Sequence, residues 1–203
     1  MFRDKRKLMS DFRDDYDIIK ECLYGDKDAY RMLVDRYKDV IFKYIYRMTG
    51  NFHETEDITI EAFMKAYGNL KNFKFGHKFK PWIYSIAVNL ARDMLRRKKL
   101  LKLVPFGGHD EETGQTGGIE MPDTSKLPDE VLEDAELKEA VKKALDCLPD
   151  KYREVFLLRY LEEFSYEEIS NITGLPMGTV ENRLFRAKNI IAGKKYIFRK
   201  FFA

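Results

Sequence analysis

The side chains with the clearest chemistry lie in the run VENRLFRAKN, between Val180 and Asn189. At about 100° per residue, a helix that continues past this run places four apolar residues on one face: Val180, Leu184, Ala187 and Ile191. The remaining surface then carries Glu181, Asn182, Arg183, Phe185, Arg186 and Asn189. Asn and Arg bind the edges of adenine and guanine, Glu accepts from cytosine, and an exposed ring suits a thymine methyl. The pattern favours a helix that reads duplex DNA over a plain solvated amphipathic helix.

The residues before this helix predict how it is positioned. Ser165 is a good N-cap, and Glu168 three residues later completes a capping box. Gly174 suits the left-handed residue that ends a helix, and Pro176 suits the entry to the next one. A turn this short sets two helices at a steep angle, as in a DNA-binding helix-turn-helix.

A second candidate site is the segment Asn69–Lys80, NLKNFKFGHKFK, which has no helical period. It alternates rings with lysines: Phe73, Phe75 and Phe79 with Lys71, Lys74, Lys78 and Lys80. Such a loop suits single-stranded nucleic acid, because bases stack on rings while lysines hold phosphates. The alternative is that the rings fill a core beneath a solvated loop, which is the favoured interpretation for any single ring and for Phe79 especially.

The next helix is predicted from Pro81 to about Lys99. Its core stripe comprises Ile83, Ile86, Ala87, Leu90 and Met94. The opposite stripe comprises Ser85, Val88, Asn89, Arg92 and Arg96. This polar stripe and the lysines and arginines that follow it are typical of a helix laid along DNA.

The remaining pattern predicts an all-α protein of two small helical domains. Three further helices, over about 15–24, 28–48 and 54–67, complete the first domain, and two more precede the helix-turn-helix. The segment from Pro105 to Pro128 has glycines, prolines and many acids without apolar periodicity, which indicates a flexible linker. This linker either lies in a basic channel that nucleic acid otherwise uses or is only a solvated tether; the sequence favours the tether.

Charge is strongly segregated although the formal net charge is only +3. Residues 78–102 carry eight Lys/Arg and one acid, residues 103–134 carry nine acids and one base, and residues 183–203 carry seven Lys/Arg and no acid. Two basic blocks flanking an acidic one favour two nucleic-acid contacts over the alternative of ordinary solvated helix faces.

Several classes of protein are disfavoured by what the sequence lacks. The three histidines are isolated, the two cysteines fit no ligand spacing, and no phosphate loop or nucleophile motif occurs. We therefore expect no enzyme activity, catalytic residue, metal, cofactor or small-molecule substrate. No apolar run reaches the length of a transmembrane segment, and residues 1–15 lack the apolar stretch of a signal peptide, so a cytoplasmic protein is expected.

Four runs, in this order, resemble the extracytoplasmic-function sigma factors, the smallest members of the sigma-seventy family of bacterial initiation factors. They are YGDKDAYRMLVDRYKDVIFKYIYRMTGN, HETEDITIEAFMKAY, FGHKFKPWIYSIAVNLARDMLRRKK and LPDKYREVFLLRYLEEFSYEEISNITGLPMGTVENRLFRAK. The resemblance covers about residues 15–192. It implies a four-helix promoter −10 domain (1–102), an acidic linker (103–128) and a helix-turn-helix −35 domain with a basic tail (129–203).

The resemblance also implies partners and site residues. Core RNA polymerase would dock its clamp on Glu56, Asp57, Ile60, Glu61 and Lys65. The −10 element, captured as a single strand, would contact Lys71, Phe73, Lys74, Phe75, Lys78, Trp82, Ser85, Asn89, Arg92 and Arg96. The duplex −35 element would contact Glu181, Asn182, Arg183, Phe185, Arg186 and Asn189. Such factors are usually held by an anti-sigma factor, often at the membrane, until a stress signal arrives.

Two residues depart from the family pattern. Ile60 stands where the clamp helix often has Gln, and Glu181 stands where the recognition helix often has Lys or Arg. Because Glu repels phosphate and accepts from cytosine, a shifted −35 preference is expected.

Three other functions fit these features less well. A stand-alone helix-turn-helix regulator would need no lysine–phenylalanine loop, and an enzyme acting on nucleic acid would need an acid–base or metal constellation. The hypothesis of a membrane-surface protein is supported only by the basic, aromatic tail GKKYIFRKFFA.

Overall fold

The computed structural model describes the backbone of residues 14–103 and 135–193, and the side chains of 14–101 and 141–193. These ranges contain eight α-helices, one 3-10 helix and no strand. The helices of the first domain are α1 (Asp15–Leu23), α2 (Lys27–Thr49), α3 (Phe52–Gly68), the 3-10 helix (Leu70–Asn72) and α4 (Phe79–Leu103). Those of the second are α5 (Ala135–Asp146), α6 (Asp150–Tyr160), α7 (Tyr166–Thr173) and α8 (Met177–Ala192). The predicted all-α fold with two helical regions is confirmed. The acidic linker and the basic tail lie outside the described residues.

Side-chain caps set the starts of the first three helices. The carboxylates of Asp14 and Asp26 and the amide oxygen of Asn51 accept backbone N–H groups at the starts of α1, α2 and α3. Each cap satisfies donors that the helix itself leaves unpaired. Gly50 ends α2 in a left-handed conformation, with φ of 69°, so the chain can turn directly into α3.

The first domain is built around α2, which packs against α1, α3 and α4. Its core is aromatic: the largest fully buried side chains include Tyr44, Phe79 and Tyr84, with isoleucines from α1 and α2 around them. Burying whole aromatic rings supplies much of the stabilisation available to so small a domain. This core fixes the direction of α4 and the loop before it.

The second domain places α8 against both α6 and α7. Val155, Phe156 and Leu158 of α6 are fully buried, as are Ile169 of α7 and Val180 of α8. The exposed side of α8 is therefore supported from behind by two helices, α6 and α7.

The two domains pack together, an arrangement that the sequence left open. Helix α4 lies against α7, and α2 lies against α6. This changes the prediction for α4: Val88, assigned to the outward polar stripe, is 1% exposed, and Arg92 is paired with Glu154 of α6. Tyr84, Val88 and Ala91 are all buried, so α4 has a second covered face beside its core stripe. Their spacing of four and three residues was a helical signal that the single-stripe interpretation missed.

Candidate nucleic-acid and polymerase interfaces

The turn that positions α8 is built as its sequence predicts. The Ser165 hydroxyl accepts the Glu168 N–H at 3.1 Å, and the Glu168 carboxylate accepts the Ser165 N–H at 2.9 Å, which completes the capping box. This backbone hydrogen bond lowers the pKa of Glu168 below its usual range. Gly174 then adopts φ of 68°, and Pro176 is the N-cap of α8. The helix-turn-helix is confirmed.

The recognition helix α8 presents the predicted side chains on one surface. The inward seam of α8, from Val180 to Ile191, is buried as expected. Glu181, Asn182, Phe185, Arg186 and Asn189 are exposed, whereas Arg183 is half-buried. Phe185 leaves 65% of its surface in water, which is unfavourable for an apolar ring unless a binding partner covers it. The Arg186 Nε donates to Asn182 Oδ1 at 3.0 Å, which aligns the two side chains suited to guanine and adenine.

The loop before α4 is sorted into buried and exposed rings. Phe79 is 1% exposed, which confirms the core interpretation for that residue, and Phe73 is 5% exposed. The Phe73 ring contacts Trp82 with a centroid separation of 5.3 Å, so it differs from the expected open stacking surface and instead supports the loop. Phe75 remains 51% exposed among the exposed lysines Lys71, Lys74 and Lys78.

Sequence reasoning missed the contribution of α1 to this loop. The Tyr16 hydroxyl donates to the His77 carbonyl at 2.9 Å, and the Tyr16 ring lies 6.1 Å from that of Phe75, centroid to centroid. An aromatic residue on the inward side of α1 was the available signal. The contact holds the loop in a shape that presents Phe75 outward.

The predicted polar stripe on α4 is partly exposed to solvent and partly covered by the second domain. Asn89 and Arg96 are exposed, and Arg96 pairs with Asp93 at 3.0 Å. Ser85 and Trp82 are half-buried, and the Ser85 hydroxyl donates to the Trp82 carbonyl at 2.7 Å. Arg92 lies inside the interdomain contact, where its hydrogen bonds to Glu154 raise its pKa.

A third surface is an apolar groove between α2 and α3. From α2 it is lined by Tyr30, Val34 and Phe42, and from α3 by Ile60, Phe63, Met64 and Tyr67. Ile60 is 60% exposed and Met64 is 69% exposed, which is unusual for large apolar side chains. The groove is therefore suited to an amphipathic helix.

Of the predicted clamp residues, Glu56 and Ile60 line this groove, whereas Asp57, Glu61 and Lys65 lie on the same helix outside its lining. Glu56, Asp57, Glu61 and Lys65 are exposed, and Lys65 pairs with Glu61 at 2.8 Å. Met64 and Tyr67 were not predicted, although residues 60, 64 and 67 follow a helical apolar spacing on the outer side of α3. Beside the apolar residues, the groove is lined by Lys27, Lys38, Asp39 and Glu56, a mixed composition that is usual for a protein interface.

The described residues contain neither a membrane-spanning helix nor a metal-binding cluster. Within 14–103 and 135–193, no helix is both long enough and apolar enough to span a bilayer. The described side chains also contain no group of three or more His, Cys, Asp and Glu arranged to hold a metal ion.

Two family models match this chain, one in each helical region. Residues 33–100 match Sigma-70 region 2, and residues 138–191 match Sigma-70 region 4. The chain is 40% identical over 177 residues to the ECF RNA polymerase sigma factor SigW of Bacillus subtilis, covering 85% of this chain and 92% of that protein. It is 32% identical over 187 residues to the ECF RNA polymerase sigma-E factor of Escherichia coli K12, covering 92% and 96%.

The fold and its helix-turn-helix define a two-domain DNA-binding protein of the transcription machinery. More narrowly, the chain belongs to the extracytoplasmic-function (ECF) RNA polymerase sigma factors. Sigma factors are initiation factors rather than catalysts, which agrees with the expectation that this chain is not an enzyme.

Two solved structures share the fold at 20% sequence identity. One is CnrH in complex with the cytosolic domain of CnrY, with a TM-score of 0.61, covering 89% of this chain and 96% of that one. The other is the sigma factor RpoE in complex with the anti-sigma factor NepR from Bartonella quintana, with a TM-score of 0.58, covering 84% and 95%.

Proposed function

We propose that this sigma factor divides promoter-specific initiation among three surfaces: α8 for the −35 element, the 69–80 loop with α4 for the −10 element, and the α2–α3 groove for core polymerase. The observation that carries the proposal is the recognition helix. It gathers Asn182, Phe185 and Arg186 on one exposed side of a capped helix-turn-helix, inside the segment that matches sigma region 4.

The −35 contact is duplex reading by α8 in the major groove. Arg186 and Asn182 supply the side chains that bind guanine and adenine edges, and the exposed Phe185 ring supplies an apolar contact to thymine methyls. Glu181 shifts the preference toward cytosine, because its carboxylate accepts from N4. Arg183 and Asn189 lie at the edges of this surface, where phosphates and flanking bases pass.

The −10 contact is capture of an unpaired strand. The exposed side chains divide the roles in this contact: Phe75 stacks a base, while Lys71, Lys74 and Lys78 hold phosphates. Phe73 and Trp82 brace the loop from beneath. Ser85, Asn89, Arg92 and Arg96 extend the contact along α4.

Core polymerase binds the groove between α2 and α3 through its clamp. The apolar centre, chiefly Ile60 and Met64, supplies most of the affinity, and the charged side chains of Glu56, Asp57, Glu61 and Lys65 on α3 set orientation. Ile60 replaces the Gln of the family pattern, so this contact is more apolar here.

The regulation and the cellular location proposed for this chain are those usual for its family. The two structural relatives are both complexes, CnrH with the cytosolic domain of CnrY and RpoE with the anti-sigma factor NepR. An anti-sigma factor that sequesters this chain is therefore proposed, and one anchored in the membrane would hold it there. Polymerase and promoter DNA place its activity in the bacterial cytoplasm. Its domains run over 1–102 and 129–203, joined by the acidic linker 103–128.

Run-off transcription tests this function. Bacterial core polymerase is incubated with a pool of promoter fragments, with and without the protein. Specific starts that appear only when the protein is added support the proposal. Absence of starts, together with tight binding to a duplex in the pool without polymerase, would instead establish a stand-alone helix-turn-helix regulator.

A further inference from the structure

The side chain of Arg186, assigned above to guanine reading, is held by neighbours on two different helices. Its Nε donates to Asn182 Oδ1 on α8 at 3.0 Å, and its Nη1 donates to the hydroxyl of Tyr152 at 3.4 Å. Tyr152 belongs to the first turn of α6 and lies 34 residues earlier in the chain. An arginine on the exposed side of the recognition helix is thereby joined to a helix that supports it from behind.

Tyr152 is a fixed point for this contact. Its side chain is only 9% exposed, and its ring lies in the hydrophobic core that also contains Val155 of α6 and Leu184 of α8. A ring packed in a dense core has few orientations, so the core sets the position of the hydroxyl at its end. Arg186 is exposed and has a long, flexible stem, so it lacks such a restraint of its own.

The hydroxyl of Tyr152 is not needed by the core, because a phenylalanine would fill nearly the same space. Its neighbours are two cations, the Arg186 guanidinium and the ammonium of Lys151, which lies 4.9 Å from the Tyr152 ring centroid. The hydrogen bond from Arg186, and then the nearby Lys151, lower the pKa of Tyr152 below its usual value. Two surface cations thus converge on the phenol oxygen, which indicates that the hydroxyl serves the surface of the domain.

The same hydrogen bonds leave the base-reading groups available. The remaining N–H groups of Arg186, on Nη1 and Nη2, have no partner among the described residues, and arginine uses such groups to bind guanine O6 and N7. Asn182 turns its Oδ1 toward Arg186, so its Nδ2 is left to donate to a base edge. Both side chains are therefore oriented before DNA arrives, and neither is blocked.

We propose that Tyr152 is a positioning residue for −35 recognition, whose hydroxyl holds the Arg186 guanidinium, and through it Asn182, in the orientation that meets the base edges. The inference rests on the −35 role of α8 given as the proposed function. Because ordering a side chain costs free energy on binding, an arginine that is already held binds its base more tightly than a freely rotating one. Base preference at the −35 element is thus set partly by α6.

The test uses holoenzyme assembled from bacterial core polymerase and the full chain. The variant Tyr152→Phe removes the hydroxyl and keeps the ring. Its matched control is Tyr160→Phe on the same helix, because Tyr160 contacts Lys188 of α8, which is not among the predicted base-reading residues. Each holoenzyme selects duplexes from a pool of promoter fragments with a randomised −35 element, and Arg186→Ala marks the position that Arg186 reads. Thermal unfolding verifies that each variant is folded.

Tyr152→Phe should weaken the base preference at the same position as Arg186→Ala, to a smaller extent, while Tyr160→Phe keeps it. If the hydroxyl holds the guanidinium in about nine of ten molecules and its loss leaves about three of ten, the preference falls about threefold. In the double variant Tyr152→Phe with Arg186→Ala, the first change should have no further effect on preference, because the side chain through which it acts is gone.

An unchanged preference in Tyr152→Phe overturns the positioning role while the −35 role of α8 stands. A further loss in the double variant, or a loss spread over all −35 positions, also overturns it, since the hydroxyl would then support the domain in general. If Arg186→Ala changes no position, Arg186 reads no base and the inference fails. A wild-type holoenzyme without any −35 preference would overturn the proposed −35 function itself, and the inference with it.

A second measurement needs neither DNA nor polymerase. Nitrogen relaxation measured by NMR on the free protein reports the motion of the Arg186 Nε–Hε group, whose signal is assigned by its loss in Arg186→Ala. The order parameter of this group should fall in Tyr152→Phe and stay unchanged in Tyr160→Phe. An Arg186 side chain that is equally mobile in the wild type and in Tyr152→Phe would overturn the proposal, whatever the protein does at promoters.

Discussion

Among the described side chains, Tyr44 is distinguished by a buried hydroxyl that lacks a hydrogen-bond partner. Its ring packs edge-on against that of Tyr84 at 5.4 Å, so the ring contributes to the core while the hydroxyl only costs free energy. Burial also raises the pKa of Tyr44 well above its usual range, and the hydroxyl stays neutral. The two halves of this side chain therefore have opposite effects on stability.

Replacing Tyr44 by Phe should raise the free energy of unfolding by about 1 kcal/mol, because an unpaired buried hydroxyl is removed and the ring is kept. Chemical denaturation followed by circular dichroism measures the change. Tyr30→Phe is the control: its hydroxyl donates to the Phe63 carbonyl at 2.7 Å, so that variant should lose about 1 kcal/mol. A loss of stability in Tyr44→Phe similar to that of the control would contradict the assignment.

The second residue-level prediction concerns Glu181, which is exposed on the reading side of α8. Changing it to Arg replaces an acceptor for cytosine by a donor for guanine, so the preferred −35 sequence should change at one position. A good base contact discriminates by about 1–3 kcal/mol, which a binding selection on randomised −35 duplexes resolves easily. Glu167→Arg, outside α8, controls for the added positive charge. Unchanged preference in Glu181→Arg would show that this residue does not read the promoter.

At the level of elements, the helix-turn-helix contains two glycines, of which only one has a backbone conformation that requires glycine. Gly174 has φ of 68°, where a side chain is strained whatever space surrounds it. Gly178 lies in the first turn of α8, and a Cβ there meets nothing within 4 Å. The same substitution at the two sites should therefore act in opposite directions.

Gly174→Ala should cost about 1 kcal/mol of stability in the second domain, whereas Gly178→Ala should gain about 0.5 kcal/mol from better helix propensity. Thermal unfolding of the two variants beside the wild type measures both. Equal effects of the same sign would mean that the turn does not need its left-handed residue.

The groove on α3 gives the second element-level prediction. Met64→Lys places a charge at the centre of the apolar contact, where it is desolvated on docking, so affinity for core polymerase should fall at least about tenfold. His53→Lys is the matched control, because His53 is exposed on the same helix but does not line the groove. Fluorescence anisotropy with labelled protein measures the affinity. Equal binding by both variants would move the clamp contact away from this groove.

Local structure was the part that sequence could predict well. Caps such as Ser165, the left-handed Gly174 and the apolar seam of α8 act through neighbours three or four residues away, so a single pattern contains the whole interaction. The sequence could not decide whether Phe73 is buried or exposed, because its partners Tyr16 and Trp82 come from separate elements. No local period reports which of several rings in a loop is the one that turns inward.

At the scale of the whole molecule, the packing of the two domains was beyond the sequence pattern. Arg92 and Glu154 are 62 residues apart, and a lone arginine on a polar stripe fits a phosphate as well as a carboxylate. The buried trio Tyr84, Val88 and Ala91 carried a usable signal for a second covered face on α4, but not for what covers it. Charge and spacing thus predicted the candidate binding surfaces. The packing of the second domain against α4 could not be predicted, because it depends on contacts between residues far apart in the sequence.

The central claim is that this protein brings core polymerase to a promoter and opens the −10 element there. Permanganate footprinting of thymines on a promoter selected by run-off transcription tests it most directly. Reactive, unpaired thymines should appear at the −10 element only when core polymerase and the protein are both present. Duplex thymines that stay unreactive in that mixture, with the protein alone protecting the −35 sequence, would contradict the claim.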